Sequence, residues 1–156
     1  MKLYIKQKVF SWGDKFAIKD ESGQDIFFAK GEVFSFGKKL HIYDFFGIEV
    51  AFIHQKVFSF LPKFFIEING QSFELVKEFT FLKPRYSIRN LGWEIDGDFF
   101  GHEYSVTQHG GTVMRMSKEW FTWGDSYVID ISEPRDAILC LCIALGIDCI
   151  VATQNN

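Results

Sequence analysis

The chain has 156 residues, enough for one domain with a sizeable core, and its 47% hydrophobic and 24% charged composition excludes a disordered chain. Seventeen Lys and Arg against 20 Asp and Glu leave a net charge of -3, which argues against a nucleic-acid partner. Aromatic residues make up 18%, including 19 Phe, an excess that favours strands over helices.

The amino terminus, Met1-Lys2-Leu3-Tyr4-Ile5-Lys6-Gln7-Lys8, breaks its apolar residues with lysines and lacks the unbroken apolar run of a secretory signal. A phrase then begins to recur: Lys8-Val9-Phe10-Ser11-Trp12-Gly13-Asp14, Glu32-Val33-Phe34-Ser35-Phe36-Gly37-Lys38, and Lys56-Val57-Phe58-Ser59-Phe60-Leu61-Pro62. Further copies stand at Glu78-Phe79-Thr80-Phe81-Leu82-Lys83-Pro84 and Glu119-Trp120-Phe121-Thr122-Trp123-Gly124-Asp125, with a worn one at Asp98-Phe99-Phe100-Gly101-His102. The marker residues Phe10, Phe34, Phe58, Phe79, Phe100 and Phe121 are spaced by 24, 24, 21, 21 and 21 residues. Each repeat carries one turn just after the phrase and a second about ten residues later, at Gly23, Gly47, Asn69-Gly70, Asn90-Leu91-Gly92 and His109-Gly110-Gly111. Between turns the pattern alternates, as in Phe64-Phe65-Ile66-Glu67-Ile68, so one face is buried and the other wet. Six repeats of two strands predict about twelve antiparallel strands within residues 3–131. Closure into a barrel removes the two edges such a meander would expose.

The last 25 residues depart from this pattern. Ser132 is the expected N-cap, with Glu133, Pro134 and Asp136 in a first turn, opening a helix over about 133–150. Ala137 to Ile147 is apolar on every side and 11 residues long before Asp148, short of the roughly 20 that span a bilayer. No transmembrane span is expected. About twelve strands leave a lumen wider than side chains alone fill, and a helix about 10 Å across fits it. The expected architecture is therefore mainly β: one domain over residues 1–156, a closed antiparallel barrel of about twelve strands plugged by a central hydrophobic C-terminal helix.

With its six repeats, the Trp123-Gly124-Asp125 hairpin, the Lys83-Pro84-Arg85-Tyr86 turn and the closing helix from Asp136 to Asp148, the chain resembles the LURP-one-related proteins. These belong to the tubby-like barrel superfamily, together with the phospholipid scramblases. The resemblance covers essentially the whole chain and implies the fold; that branch carries no agreed biochemical activity. Tubby proteins bind phosphoinositide head groups through basic barrel residues, so the resemblance implies lipid contact by analogy at superfamily level. The calcium-binding segment and Pro-rich leader of the scramblases have no counterpart here.

No strong catalytic motif is present, so an enzyme is not expected, nor a cofactor. His41, His54, His102 and His109 are scattered over separate strands or turns, and no metal site is assigned. Cys140 and Cys142 lie about 200° apart around a helix and cannot share an ion, so with Cys149 they read as buried apolar thiols. Three clustered free thiols suit a reducing, cytoplasmic setting. Asp14 and Asp125 follow turn glycines at equivalent positions, which turn chemistry explains.

Charge sorted by barrel end is more informative. One rim collects Lys15, Lys38, Lys39, Lys63, Lys83 and Arg85 against Asp14, Glu103 and Asp125; the other collects Asp20, Glu21, Asp25, Asp44 and Glu49 against Lys19 and Arg89. Lys38, Lys39, Lys63, Lys83 and Arg85 are the candidate ligand-binding rim. The expected function is a non-enzymatic binding or scaffold barrel that meets anionic lipid head groups or an acidic protein partner there. A carrier of a small hydrophobic ligand beside the helix, and an enzyme of unrecognised type, are the alternatives. The sequence sets neither the ligand nor the oligomeric state.

Overall fold

A computed structural model describes residues 1–6, 15–32, 36–121 and 124–154. Twelve strands run in chain order. The first six are β1 (Lys2–Lys6), β2 (Lys15–Lys19), β3 (Asp25–Gly31), β4 (Lys39–Asp44), β5 (Glu49–Gln55) and β6 (Lys63–Ile68). The rest are β7 (Gln71–Lys77), β8 (Tyr86–Ile88), β9 (Trp93–Asp98), β10 (Glu103–Gln108), β11 (Gly111–Phe121) and β12 (Gly124–Ile131). Each pairs antiparallel with its sequence neighbours, and β1 closes the barrel on β12 from Lys2↔Asp130 to Lys6↔Ser126. Consecutive turns therefore alternate between two rims. The turns after the repeated phrase share one rim, termed here the phrase rim, and the intervening turns form the opposite rim.

Period-two patterning sets which side chains enter. Phe64 and Ile66 point inward with Glu67 outward, and Met114 and Met116 inward with Arg115 outward. The lining is mostly aliphatic: Leu3, Ile5, Ile18, Leu40, Ile42, Ile53, Leu75, Ile88 and Ile95 are all essentially inaccessible. Bulges after Ile18, Ile42 and Val106 recur just before opposite-rim turns, so the repeats share backbone irregularities as well as residues.

Inside the ring runs α1 (Ala137–Gln154), preceded by a 3-10 turn at Pro134–Asp136. The expected cap at Ser132 is not formed. Its hydroxyl donates to the Thr112 carbonyl at 2.8 Å and its amide to that of Val113 at 2.9 Å, so Ser132 continues the sheet ladder instead. The helix thus starts four residues later than expected and ends later too, because the apolar run resumes at Cys149-Ile150-Val151 beyond a buried Asp148. Pro134–Gln154 is long and apolar enough to cross a membrane, so its length does not exclude a span as the shorter apolar count did. Burial decides its place: 78% of its most apolar 18-residue window is buried inside the protein. It enters from the opposite rim and brings its carboxyl end to the phrase rim, where Asp148 meets His102 of the β9–β10 turn.

Candidate functional site

All five candidate basic residues fall at the phrase rim, on or beside β4, β6 and β8. Three of them face carboxylates on neighbouring strands. Lys39 Nζ is 3.8 Å from Glu32, Lys63 Nζ is 2.9 Å from Glu74, and Arg85 Nε donates to Asp96 Oδ1 at 2.8 Å. The last contact holds the Arg85 guanidinium above its ordinary pKa. Lys63 is largely covered and also lies over the Phe65 ring at 5.3 Å. Lys83 is exposed, its carbonyl accepting from the Thr80 hydroxyl, while the Lys38 amide donates to Gln55 Oε1 at 3.1 Å. Sorting charge by turns missed Glu32, Glu74 and Asp96 because they lie within or beside strands, facing the rim cations directly or diagonally. Asp14 and the side chain of Asp125 lie outside the described residues.

The same hairpins display what charge counting passed over. Phe58, Phe60, Phe81 and Leu82 are 92–95% exposed, and Phe36 and Phe79 about 70%. Their hairpins, β3–β4, β5–β6 and β7–β8, follow one another around the rim. The phrase reads as a strand on alternation alone, yet at Phe58 the backbone takes φ 63°, a turn conformation that throws the ring outward. Behind Phe60 and Leu61, a recess of about 270 Å³ on the outer wall is lined by Lys56, Lys63, Lys77 and Arg89. Arg89, expected at the opposite rim, reaches this recess because β8 is only three residues long.

Inside the barrel at this end, ionisable groups converge without solvent. Asp148 is 8% exposed, and His102 Nε2 lies 2.9 Å from its Oδ1. Burial pushes the Asp148 carboxyl up, and His102 offsets this in part. The His102 ring stacks on Tyr127, centroids 3.9 Å apart and planes 9° from parallel. The buried Tyr104 hydroxyl has no hydrogen-bond partner among the described residues, and burial with the Asp148 charge raises its pKa. This cluster lies at the buried carboxyl end of α1, with His102 only partly covered. Near the helix end the Lys38 charge opposes the upward push of burial on Cys149. The partner of Asp148, however, is His102.

The remaining histidines serve the outer wall. His41 lies between Glu32 and Glu49, which outweigh its burial and raise its pKa. Phe52 is sandwiched between His41 and His54 at 4.6 and 5.0 Å. Among the described residues no three His, Cys, Asp or Glu assemble as a metal site. Cys140, Cys142 and Cys149 are free and buried, and burial pushes Cys140 and Cys149 up to about 12.

Acidic residues at the opposite rim are occupied locally. Asp20 Oδ1 accepts from the Ser22 and Gln24 amides, and Asp44 Oδ1 from those of Phe46 and Ile48, each bracing a turn whose Gly23 or Gly47 has φ 83°. Beside the first turn of α1 a recess of about 510 Å³ opens at this rim, lined by Phe73, Leu91, Trp93, Gln108, Arg135 and Ile138 among others.

A closed twelve-strand meander around its own buried carboxyl-terminal helix defines a class of plugged barrels. Within that class, the chain belongs to the LURP-one-related family, whose model matches residues 1–148. It is 39% identical over 157 residues to the uncharacterised protein YxjI of Bacillus subtilis (strain 168), covering 100% of this chain and 97% of that one. The X-ray structure of a protein from Arabidopsis thaliana shares the fold at a TM-score of 0.60 and 15% identity, over 99% of this chain and 91% of the other.

Proposed function

We propose that the protein is a non-enzymatic binding barrel whose phrase rim contacts an anionic surface, presented by lipid head groups or an acidic partner. The supporting observation is the contrast between its ends. Cations and the most exposed apolar side chains share one rim, whereas at the other, where Phe45, Phe46 and Ile48 are 61–75% exposed, carboxylates brace their own turns. The superfamily resemblance points the same way. The ion pairs of Lys39, Lys63 and Arg85 reduce the charge available, leaving most of the attraction to Lys83 and its neighbours. A basic residue beside an anionic membrane contributes roughly 1 kcal/mol, which salt screens. Replacing Lys38, Lys39, Lys83 and Arg85 together by Ser should weaken binding to anionic vesicles or a polyanionic resin at low salt. Equal binding by variant and wild type, or none by either, would refute this reading.

A second reading, a carrier, draws on the 510 Å³ recess beside α1. A small amphiphile there would lie against Trp93 and near Arg135. An apolar fluorescent dye should then bind wild type and lose most of its affinity in Trp93→Ala; unchanged binding would remove the carrier.

A further inference from the structure

We infer that the phrase rim docks on an anionic bilayer, with Phe58, Phe60, Phe81 and Leu82 entering the interfacial layer while the recess behind them takes a lipid phosphate. This rests on the proposed function and adds its occupant and its mode of contact.

The aromatic tips have nowhere else to go. Leu40, Ile53, Leu75 and α1 are buried in the interior these rings would have to enter, and the rings themselves stand in solvent. They also belong to separate, consecutive hairpins at one end of a barrel. Phe36 contacts Phe58 with ring centroids 5.9 Å apart, and Phe79 contacts Phe81 at 5.8 Å. Large apolar side chains more than nine-tenths exposed on adjacent tips form a projecting surface rather than a groove for a peptide.

Cations stand one layer behind the tips. Lys56, Lys77 and Arg89 line the recess under Phe60 and make no ion pair among the described residues, whereas Lys63 beside them is held by Glu74. A bilayer presents that order in reverse, acyl chains deep and phosphates shallower, so inserted rings would bring these cations to phosphate depth. Charge complementarity separates this occupant from a second copy of the chain. Two such rims meeting face to face would set Lys56, Lys77 and Arg89 against their own equivalents, which repel. The recess, about 270 Å³, is of a size to admit a phosphate group.

The test uses the full chain and two variants. One replaces Phe58, Phe60, Phe81 and Leu82 by Ser; the other replaces Lys56, Lys77 and Arg89 by Gln. Each is assayed on phosphatidylcholine vesicles with and without phosphatidylserine, on a polyanionic resin, and by sedimentation velocity. Wild type should bind the phosphatidylserine vesicles. The apolar-to-Ser variant should lose roughly tenfold or more of that binding while holding the resin like wild type, since lost apolar insertion does not change charge. The cation variant should lose both. Vesicle binding unchanged in the apolar-to-Ser variant would overturn insertion while leaving a purely electrostatic rim. Resin binding without vesicle binding would overturn the bilayer in favour of an acidic protein. A wild-type dimer abolished by the Ser substitutions would overturn it in favour of self-association. Binding to neither vesicles nor resin would remove the underlying reading as well.

Discussion

Gly97 occupies a position on β9 that other residues resist. Its φ is 142°, it pairs with Tyr104, and an added Cβ would fall 2.5 Å from the Glu103 carbonyl oxygen and 2.6 Å from the Tyr104 Cα. Both obstacles are backbone and cannot swing aside. Gly97→Ala should therefore cost about 1–3 kcal/mol, read as a lowered urea midpoint, and a neutral substitution would show that the strand shifts freely. Asp148 makes a second prediction at this scale. Burial raises its carboxyl pKa, so the folded chain retains a proton that the unfolded chain releases above about pH 3.8. The stability this group contributes is full below that value and is lost as pH rises through the raised folded value. His102 opposes the shift, and Tyr104 and Cys149 are the other ionisable groups it faces. As pH rises above about 3.8 the wild type should lose more stability than Asp148→Asn; equal losses would show that burial does not raise this carboxyl in the fold.

At the scale of the element, α1 is a helix that cannot exist alone on its composition. It has no wet stripe, and 14 of its 18 residues are buried. It also passes close to the wall, since a Cβ on Gly146 would stand 2.8 Å from Leu75 Cδ2. Leu141→Asp or Ile143→Asp should abolish soluble folding, because an unpaired buried charge costs several kcal/mol against a total of roughly 5–15. Deleting the chain from Ser132 onward should do the same, and a soluble deletion variant with a cooperative melt would show that the sheet holds itself together. Its thiols report on the same packing. Native protein should react slowly with a thiol reagent, and denatured protein should expose all three cysteines. Rapid native labelling would mean that α1 leaves the barrel readily.

The whole molecule separates stability from contact. Its core is built from inward aliphatic residues and α1, whereas the rings at the phrase rim touch little of it. Replacing Phe58, Phe60, Phe81 and Leu82 by Ser should thus leave the melting transition within about 0.5 kcal/mol of wild type. A large loss of stability would place those rings in the core and undo their reading as a contact surface.

Repeat spacing, turn residues and an all-apolar closing helix made the plugged barrel legible in the amino-acid order, because periodicity and hydrophobic pattern are local and each repeat restates them. What local pattern could not decide is which apolar residues go inside. Phe58-Ser59-Phe60 and Phe64-Phe65-Ile66 look alike as strings, yet both rings of the first stand in solvent while Phe64 and Ile66 of the second line the barrel. Nor could it pair Lys63 with Glu74, or bring Arg89 to Lys56 and Lys77, because those meetings depend on register and on the shortness of β8. The amino-acid sequence determined the barrel and its plug. The tertiary structure alone decided which phenylalanines the filled lumen excludes, because inner volume is a property of the closed sheet and of no single strand.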